Sequence, residues 1–580
     1  MTQQNSNKRK NEDNHSSAST PRELKRATTV DYIYNDQESS NGRLKPLNGF
    51  VTPLLTDLYQ ITMAYSLWKN NRHEVSTVFD LYFRKSPFGG EFTIFGGLEE
   101  VVRFVSDFRY TPDQLQHIRT MLPTCDQGFI DYLSKLDSSE VTIHAIKEGS
   151  VVFPRIPLVR IEGPMIICQL LETTLLCLIN FASLVATNAA RHRLAVGKDK
   201  VMLEFGLRRA QGPDGGMSAS RYSYLGGADG TSNVMANYFF GIPIKGTHAH
   251  SFVTSYNSVE DLKDKTIVDT QGKKHDLLEL ALSFRKELGY EMSSMSELVA
   301  FVAYARSFPT GFLALVDTYD TLNSGVLNFL CVALALDRLG YKGLGIRLDS
   351  GDLSYLSKAS RKLFKQVGEK YQLDYFEKFT IVASNDLNEP TIAALNRQGH
   401  EIDTFAIGTN LVTCQAQPAL GCVYKLVELD GSPRIKLSQE ANKITLPGRK
   451  DCYRLIGSEG HPLVDLLVHV GSDEKENQQQ IPKPGEKVLC LHPFEEQKRV
   501  YVTPVKVEKL HHIVFQNGEL VNPLPTLEET RSFCLSELSR VREDHLRSSN
   551  PTPYKVSVSK NLYDTLHKLW LESVPVKEMK

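Results

Sequence analysis

Short apolar runs that end in polar residues recur in the middle of the chain. They occupy residues 312–316, 343–348, 379–383 and 404–407. Runs of this length are typical of parallel strands that are buried on both faces. The polar residues that end them are Asp317-Thr318-Tyr319-Asp320, Asp349-Ser350-Gly351-Asp352, Ser384-Asn385-Asp386 and Gly408-Thr409-Asn410.

Helical spacing of apolar residues follows the first two runs, over 322–339 and 353–369. Parallel strands need crossover connections, which helices supply. Two earlier runs, at 203–205 and 242–244, bring the visible strands to six, and 222–234 is a candidate for a hidden one. The pattern predicts an irregular or incomplete βα barrel. Since barrel enzymes place their active sites at the carboxyl ends of the strands, the chain is predicted to be an enzyme.

The remaining pattern divides the chain of 580 residues into four predicted parts. These are a disordered tail over 1–48, an α/β domain over 49–200, the barrel over 201–430 and a β-rich segment over 431–580.

Several elements are predicted outside the barrel. In the second part we expect a helix at 55–68 capped by Thr56, a strand at 75–83, β structure over 141–162 and a buried helix at 165–190. In the last part we expect strands over 485–516 and a charged helix near 526–548. This last part is expected to pack back on the N-terminal α/β domain.

Charge and cysteine usage restrict the class of protein. Lys and Arg total 67 against 68 Asp and Glu, for a net charge of −1, so no global field favours nucleic acid or an anionic membrane. Nine cysteines without a C-x-x-C pair indicate a reduced, intracellular protein. The hydrophilic N-terminus has no signal-peptide pattern, which predicts a cytoplasmic protein. The clusters Lys8-Arg9-Lys10 and Lys25-Arg26 leave nuclear import as a less favoured alternative.

The strand ends carry side chains suited to a phosphorylated sugar. Gly408-Thr409 offers backbone N–H groups and a hydroxyl for phosphate, although an ordinary turn explains the pair equally well. Asp349 and Arg347 share one strand face, and the carboxylate suits a ribose diol or a water-mediated Mg²⁺ ion. An internal Arg–Asp ion pair is the structural alternative. Arg208 and Arg209, before the Gly-rich run 212–216, suit a polyanion but form no P-loop.

Two histidines, His248 and His250, follow the strand at 242–244. A zinc site of the barrel hydrolases would need further His ligands on later strands, and none is present at those strand ends. A single functional His, acting as nucleophile or acid–base, is favoured over a metal pair. A purely structural His is the alternative.

Longer motifs resemble the nicotinate phosphoribosyltransferase family. They are Leu55-Thr56-Asp57-Leu58-Tyr59-Gln60, the run from Phe83 to Gly90, Gly246-Thr247-His248-Ala249-His250-Ser251-Phe252, Arg347-Leu348-Asp349-Ser350-Gly351-Asp352, Ser384-Asn385-Asp386-Leu387 and Gly408-Thr409-Asn410 with Tyr424-Lys425-Leu426. The resemblance runs in order from about residue 52 into the C-terminal region and leaves out the tail.

The resemblance implies the type II phosphoribosyltransferase fold and a homodimer with active sites near the subunit interface. It implies that nicotinate and 5-phosphoribosyl 1-diphosphate give nicotinate mononucleotide and diphosphate, in NAD synthesis from nicotinic acid. ATP hydrolysis would be coupled through a transient phosphohistidine, with Mg²⁺ or Mn²⁺ as the metal. The metal ligands stay unassigned.

The same resemblance implies roles for single residues. His250 matches the phosphorylated histidine, and Tyr59 matches an aromatic that stacks on the pyridine from the partner subunit. Thr247 and Arg347 resemble nicotinate contacts, and Thr409 resembles a ligand of the phosphoribosyl phosphate. Weaker assignments within the same motifs are Gly408, Asp349, Ser384 and Asn385. Relatives often carry a non-ionisable residue at the position of His248, so a pH effect on His250 is a further hypothesis.

Three alternatives stay open at this point. The first is a nicotinamide phosphoribosyltransferase of the same fold. The second is a metal-dependent barrel hydrolase that uses His248 and His250. The third is a catalytically inactive binding protein, which the complete set of strand-end residues argues against.

Overall fold

The structure is a computed structural model that describes residues 43–440, 443–471, 473–574 and 579. Apart from residues 43–48, the predicted disordered tail lies outside this part of the chain. The two basic clusters of the import hypothesis lie outside it as well. Both predictions therefore stay predictions.

A seven-stranded sheet forms the centre of the N-terminal half. Its strands, in spatial order, are Ser432–Pro433, Cys422–Leu429, Ser76–Phe83, Val159–Pro164, Thr142–Ala145, His512–Gln516 and Glu519–Leu520. A small second sheet pairs Thr93–Ile94 with Val151–Val152. The predicted strand at 75–83 and the β structure over 141–162 are confirmed.

Helices cover this sheet. They are Leu58–Lys69, Leu98–Ser106, Pro112–Met121, Gln127–Leu133, Met165–Leu170 and Glu172–Val196. The predicted cap is wrong: the first helix begins at Leu58 with Asp57 at its N-cap position. The predicted helix at 165–190 is in fact two helices with Leu171 between them.

The helix Glu172–Val196 is long and apolar enough to cross a membrane. Within the described ranges it is the one helix that meets both criteria, and 67% of its most apolar window is buried inside the protein. Asn180 and Asn188 bond to neighbouring segments rather than facing outward: Asn180 Oδ1 accepts from Cys422 N at 2.9 Å. A core helix of a folded domain explains these contacts.

Six parallel strands form the second sheet. In spatial order they are Leu313–Leu315, Gly345–Leu348, Thr380–Ala383, Thr404–Ile407, Val201–Glu204 and Gly230–Thr231. All four strands predicted from the apolar runs are present. The hidden strand is only two residues long, and the predicted strand at 242–244 is reduced to a single parallel bridge between Ile244 and Thr231.

Helices connect these strands and bury their apolar faces. The α-helices are Gly212–Leu225, Val234–Phe240, His250–Val253, Leu277–Leu288, Met295–Ser307, Val326–Arg338, Leu353–Tyr371, Glu389–Gln398 and Thr409–Thr413. Shorter elements are the 3₁₀ turns Leu207–Arg209, Val259–Asp261 and Asp374–Lys378, the π turn Thr321–Gly325 and the hairpin Thr266–Val268 with Lys274–Asp276. The core beneath them includes Phe312, Phe329 and Phe379, all buried.

The barrel is irregular, as predicted, because no backbone ladder among the described strands joins its two edges. Ile244 lies at one edge, next to Gly230–Thr231, and Leu313–Leu315 forms the other. A side chain bridges the gap: His248 Nε2 accepts a hydrogen bond from Leu315 N at 3.2 Å. The imidazole of His248 thus links the two edges of the sheet that no ladder among the described residues joins. We call this place the barrel seam.

The C-terminal part adds a third sheet. Its strands are Arg499–Val502, Val488–Leu491, Lys555–Val558, Pro462–His469, Lys450–Ile456 and Lys506–Lys509, with helices Glu474–Gln480, Leu527–Arg540, Glu543–Leu546 and Lys560–Ser573. The β-rich region is confirmed. The helix near 526–548 is broken at Val541, and the last strand and helix were not predicted.

This part packs back on the N-terminal domain, as expected. The strand His512–Gln516 pairs with Thr142–Ala145 in the first sheet. Arg160 Nη1 bonds Asp451 Oδ1 at 2.9 Å, which joins the first sheet to the third. The bounds of the four predicted parts stay a prediction, and the strand Cys422–Leu429 belongs to the N-terminal sheet.

Candidate active site

The carboxyl ends of neighbouring parallel strands bring four predicted residues together. Arg347 Nη2 lies 3.1 Å from Asp349 Oδ1, and Arg347 Nε donates to Ser384 Oγ at 2.7 Å. The internal ion pair that the sequence left as an alternative therefore exists. Its members also line an open cavity together with Thr409, so the pair is both structural and accessible to a ligand.

His250 lies beside this cluster, at the start of the short helix His250–Val253. Its Nδ1 is 3.1 Å from Thr318 Oγ1. Its Nε2 is 3.7 Å from Asp349 Oδ2 and 3.9 Å from Asp317 Oδ1. The side chain is 42% exposed. An oriented imidazole that is open to a ligand and faces two carboxylates is suited to nucleophilic or acid–base chemistry.

Asp317 was recognised as a strand-end residue but was not assigned to the site. Its Oδ2 accepts from Asp349 N at 2.8 Å and from Ser350 Oγ at 2.6 Å. Its Oδ1 is buried and has no hydrogen-bond partner among the described residues. Because an unpaired buried acceptor is costly, this oxygen indicates a place for a ligand group or a cation.

His248 has the structural role rather than the functional one. It is 8% exposed and packs edge-on against Tyr304, with 4.8 Å between ring centroids. Burial lowers the pKa of His248 to about 4, so the ring is neutral at physiological pH. Because Nε2 accepts from Leu315 N, the proton belongs on Nδ1, which faces the carbonyl oxygen of Ala249.

Two cavities meet at Arg347. The Thr409 cavity, of about 560 Å³, is lined by Arg208, Arg209, Arg347, Asp349, Ser384, Asn385, Gly408 and Thr409, among others. The Thr247 cavity, of about 790 Å³, is lined by Val234, Thr247, His248, His250 and Leu315, among others. Both include Phe205, Arg208, Arg347 and Asp349. A ligand with two chemically different halves would fit across the junction.

The remaining predicted residues fall as follows. Thr247 Oγ1 is buried and has no partner within the described ranges. Thr409 begins the helix Thr409–Thr413 with Gly408 at its N-cap. Gly408 has a φ of −101° and a ψ of −107°. Gly212–Gly216 is no loop but the first turn of the helix Gly212–Leu225.

Tyr59 does not line either cavity of its own chain. Its helix is attached to the start of the helix Glu172–Val196, where Gln60 Nε2 donates to Glu172 Oε2 at 2.8 Å. The site loops contact the far end of that helix, where Asn188 Nδ2 donates to the Asn410 carbonyl at 2.9 Å. These anchor points are roughly 24 Å apart at 1.5 Å per residue. Tyr59 is 47% exposed.

Phe205 lines both cavities beside Arg208, and the sequence analysis did not single it out as a site residue. The ring of Phe205 lies beneath Arg347, 5.6 Å from the guanidinium carbon. The buried Glu204 orders this turn, because its carboxylate accepts from Gly206 N and from Ser220 Oγ. A buried carboxylate at a strand end is the signal that would have indicated an ordered turn there.

The described residues contain no group of three His, Cys, Asp or Glu side chains arranged to hold a metal. His248 Nε2 is also occupied by Leu315 N. A zinc hydrolase site at His248 and His250 lacks its ligands, so that alternative is not supported. The fold and site instead define a barrel enzyme with a basic, hydroxyl-rich pocket for an anionic substrate.

Comparison with known proteins narrows this class. Residues 54–180 match the N-terminal domain model of nicotinate phosphoribosyltransferase, and 449–566 match its C-terminal domain model. Nicotinate phosphoribosyltransferase of Dictyostelium discoideum is 76% identical over 559 residues, covering 96% of this chain and 95% of the relative. The Homo sapiens protein of that name is 44% identical, covering 89% and 96%.

Solved structures agree. The crystal structure of human nicotinic acid phosphoribosyltransferase matches with a TM-score of 0.79 and 42% identity, over 89% of this chain and 99% of that one. The chain belongs to the nicotinate phosphoribosyltransferase family. It is therefore an enzyme of phosphoribosyl transfer with the fold expected from the motifs.

Proposed function

We propose that this enzyme joins nicotinate to 5-phosphoribosyl 1-diphosphate, giving nicotinate mononucleotide and diphosphate, with ATP hydrolysis coupled through His250. The observation that carries the proposal is the position of His250. It lines the Thr247 cavity, and its Nε2 lies 3.7 Å from Asp349, which lines both cavities. A phosphoryl group on this ring would therefore change the charge at the junction.

The Thr409 cavity is assigned to the phosphoribosyl diphosphate. Thr409 supplies a hydroxyl there, and the hydroxyl of Ser384, which donates to Asp349 Oδ1, lines the same cavity. Arg208 and Arg209 are exposed and form no ion pair with a described residue. Free guanidinium groups favour phosphate oxygens and stabilise negative charge on the departing diphosphate. Gly408 and Asn385, the weaker assignments, line the same cavity.

The Thr247 cavity is assigned to the pyridine. Phe205 offers an aromatic face for the ring, and Arg208 and Arg347 offer charge for its carboxylate. The hydrogen bonds of Arg347 use Nε and Nη2, and Nη1 has no partner among the described residues. Against the neutral amide of nicotinamide, an unpaired guanidinium would cost about 1–3 kcal/mol.

The reaction needs opposite charges to be stabilised at two places. As the pyridine nitrogen bonds to the anomeric carbon and the C–O bond to diphosphate breaks, positive charge grows on the ribose. Asp349 is placed to stabilise that charge from the cavity junction. Negative charge grows on the diphosphate, where Arg208 and Arg209 are placed to stabilise it.

The ATP step balances in two parts. A ring nitrogen of His250 takes the γ-phosphoryl group and ADP leaves; water later cleaves the phosphohistidine and releases phosphate. The Thr318 hydroxyl both donates and accepts, so it holds the ring through Nδ1 in either tautomer. Nε2 forms no hydrogen bond with a described residue, so it is the ring nitrogen left open to the phosphoryl group.

A divalent cation, Mg²⁺ or Mn²⁺, fits beside His250. Asp317 and Asp349 are the residues that would hold it, and the unpaired Asp317 Oδ1 is a free ligand oxygen. Few carboxylates plus substrate phosphates are the ligands that Mg²⁺ prefers. When bound, it would neutralise phosphate charge that the two carboxylates otherwise repel.

A homodimer would complete the site, with Tyr59 stacking on the pyridine of the partner subunit. Two exposed apolar surfaces support this. Leu58, Tyr59 and Met63 expose one surface on the first helix. Val234 and Tyr238 expose another beside the Thr247 cavity, 72% and 66% exposed. Exposed apolar patches of this kind mark association surfaces. A monomeric enzyme in sedimentation at working concentration would refute this part.

The pathway follows from the proposed reaction, whereas the location does not. The product is a precursor in NAD synthesis from nicotinic acid, and cytoplasmic location stays a prediction from the N-terminal composition.

One assay tests the proposal. Labelled nicotinate is incubated with 5-phosphoribosyl 1-diphosphate and Mg²⁺, with and without ATP, and nicotinate mononucleotide and ADP are measured. We expect product in both reactions, with more product and stoichiometric ADP when ATP is present. The same assay with labelled nicotinamide tests the alternative: equal or faster turnover of the amide would reject the assignment of nicotinate as substrate.

A further inference from the structure

A buried carboxyl group lies behind the strand end that orients His250. Glu297, in the helix Met295–Ser307, is 0% exposed. Its Oε2 accepts from Ser324 Oγ at 2.5 Å and from Asn328 Nδ2 at 3.1 Å. It forms no ion pair with a described residue. A carboxyl group without a cationic partner is rarely left in a protein interior unless it has a specific task.

Both partners of Glu297 belong to the segment that follows the strand Leu313–Leu315. Ser324 lies in the π turn Thr321–Gly325, and Asn328 lies in the first turn of the helix Val326–Arg338. Turns of the π type are frequent at functional sites. This turn begins directly after Asp317-Thr318-Tyr319-Asp320, so its position fixes the end of the loop that carries Asp317 and Thr318, two of the three neighbours of His250.

The π turn is pressed against the strand end. A Cβ atom at Gly325 would lie 1.8 Å from the Val316 carbonyl oxygen, so only glycine allows this approach. Val316 directly precedes Asp317. The turn therefore lies against the residue that immediately precedes Asp317 and Thr318.

The charge state of Glu297 fits a positioning role. Burial, aided by the neighbouring charges of Asp317 and Asp320, raises the pKa of Glu297 to about 7, against the opposing effect of the Ser324 and Asn328 hydrogen bonds. A neutral carboxyl group is cheaper to bury than a carboxylate. Its Oε1 has no hydrogen-bond partner in the part of the chain that the structure describes.

We propose that Glu297 is a positioning residue for the phosphorylation of His250: through Ser324 and Asn328 it holds the loop that carries Asp317 and Thr318. The inference rests on the proposed ATP coupling through His250. It assigns Glu297 no contact with substrate. The role requires a hydrogen-bond acceptor of this length at position 297, and it requires no negative charge there.

Three variants test the proposal. Glu297→Gln keeps the acceptor and the length, whereas Glu297→Leu keeps the volume and removes the acceptor. Val302→Ala is the matched control, because Val302 is buried on the same helix and its side chain has no hydrogen-bonding atom, so truncation loosens the core and removes no side-chain hydrogen bond. For each variant we measure phosphohistidine formation from ATP and the ATP-independent synthesis of nicotinate mononucleotide.

We expect Glu297→Leu to slow phosphohistidine formation by about 10- to 100-fold, as misplacement of a reacting group does. ATP-independent synthesis should fall less, and Glu297→Gln should restore phosphorylation to within about 3-fold of the parent. Val302→Ala should lower the thermal midpoint and leave the ratio of the two rates unchanged.

Two outcomes would overturn the inference. One is an equal loss of both rates in Glu297→Leu, as in a variant that is merely less stable. The other is a Glu297→Gln variant as impaired as Glu297→Leu, which would mean that the charge itself is required. Failure of the proposed function is distinguishable, because the parent enzyme would then form no phosphohistidine.

Discussion

Two arginines make similar contacts in two different regions of the molecule. Arg454 lies in the contact between the C-terminal sheet and the N-terminal domain, and Arg347 lies in the candidate active site. Arg454 is 1% exposed. Its Nε and Nη2 bond both oxygens of Asp465, at 2.9 and 2.8 Å, and Nη1 bonds Glu537 at 3.2 Å. A third acceptor is the Val151 carbonyl, at 2.8 Å.

Arg347 lies at the carboxyl ends of the parallel strands. It also forms an ion pair with a carboxylate and donates to a second acceptor, and its guanidinium group lies over an aromatic ring. It differs in that Nη1 has no partner among the described residues and the side chain lines two cavities. Saturated contacts make Arg454 a structural residue. Incomplete contacts support the proposed binding role of Arg347, since Asp317 Oδ1 and Thr247 Oγ1 at the same strand ends also lack partners among the described residues.

The largest expected effect is in the candidate active site. His250→Ala should abolish ATP coupling completely while some ATP-independent synthesis remains, because in the proposed mechanism the imidazole takes the phosphoryl group but does not bond the pyridine. The measurement is ADP formed per nicotinate mononucleotide. A normal ratio in this variant would show that another residue carries the phosphoryl group.

The second test disrupts the contact between the C-terminal sheet and the N-terminal domain. Arg454→Met should lower the free energy of unfolding by about 3–5 kcal/mol, because it leaves the buried Asp465 without its partner. Chemical denaturation measures the loss, and activity per folded molecule should be unchanged. A stable variant with reduced specific activity would show that Arg454 is needed for activity rather than for stability.

The third test applies to the arginine of the candidate active site. Arg347→Lys should lower kcat/KM for nicotinate on the order of 100-fold, because an ammonium group cannot replace the planar fork. The free energy of unfolding should change by less than about 1 kcal/mol, since the pair is only partly buried. If stability fell as far as in the Arg454 variant, Arg347 would be primarily a structural residue.

Sequence patterns predicted the buried parallel strands well. They predicted the run at 242–244 and the last strand and helix poorly. Runs such as 343–348 are apolar because one face packs on the helices and the other faces the barrel interior, so the strand is visible locally. At 242–244 the chain makes only one bridge, since Pro243 lacks an N–H for a ladder. The last strand and helix, Lys555–Val558 and Lys560–Ser573, follow a stretch with weak periodicity and were missed.

The site was predicted in part for the same reason. Side chains at strand ends, such as Arg347 and Thr409, are recognisable because parallel strands share one carboxyl edge. The roles of Glu297 and Glu204 depend on which segments pack against them, which no local pattern records. Tyr59 required the family resemblance, because its helix and the cavities lie at opposite ends of the helix Glu172–Val196.

The smallest expected effect distinguishes His248 from His250, two residues apart. The pKa of His248 is lowered to about 4 by burial, against about 6.5 in the unfolded chain. Between these values the unfolded state binds more protons than the folded state, so stability is complete above pH 6.5 and is lost as pH falls toward 4. At the low end the loss is up to about 3 kcal/mol.

A pair of variants isolates this contribution from other buried histidines such as His192 and His511, whose pKa values are also lowered to about 4. His248→Asn keeps an acceptor for Leu315 N without a titrating group, so its stability should fall less steeply below pH 6.5. His248→Leu should lose about 1–3 kcal/mol at every pH, because the buried Leu315 N–H loses its acceptor. Parallel pH curves for the parent and His248→Asn would mean that the imidazole is not held neutral at the barrel seam.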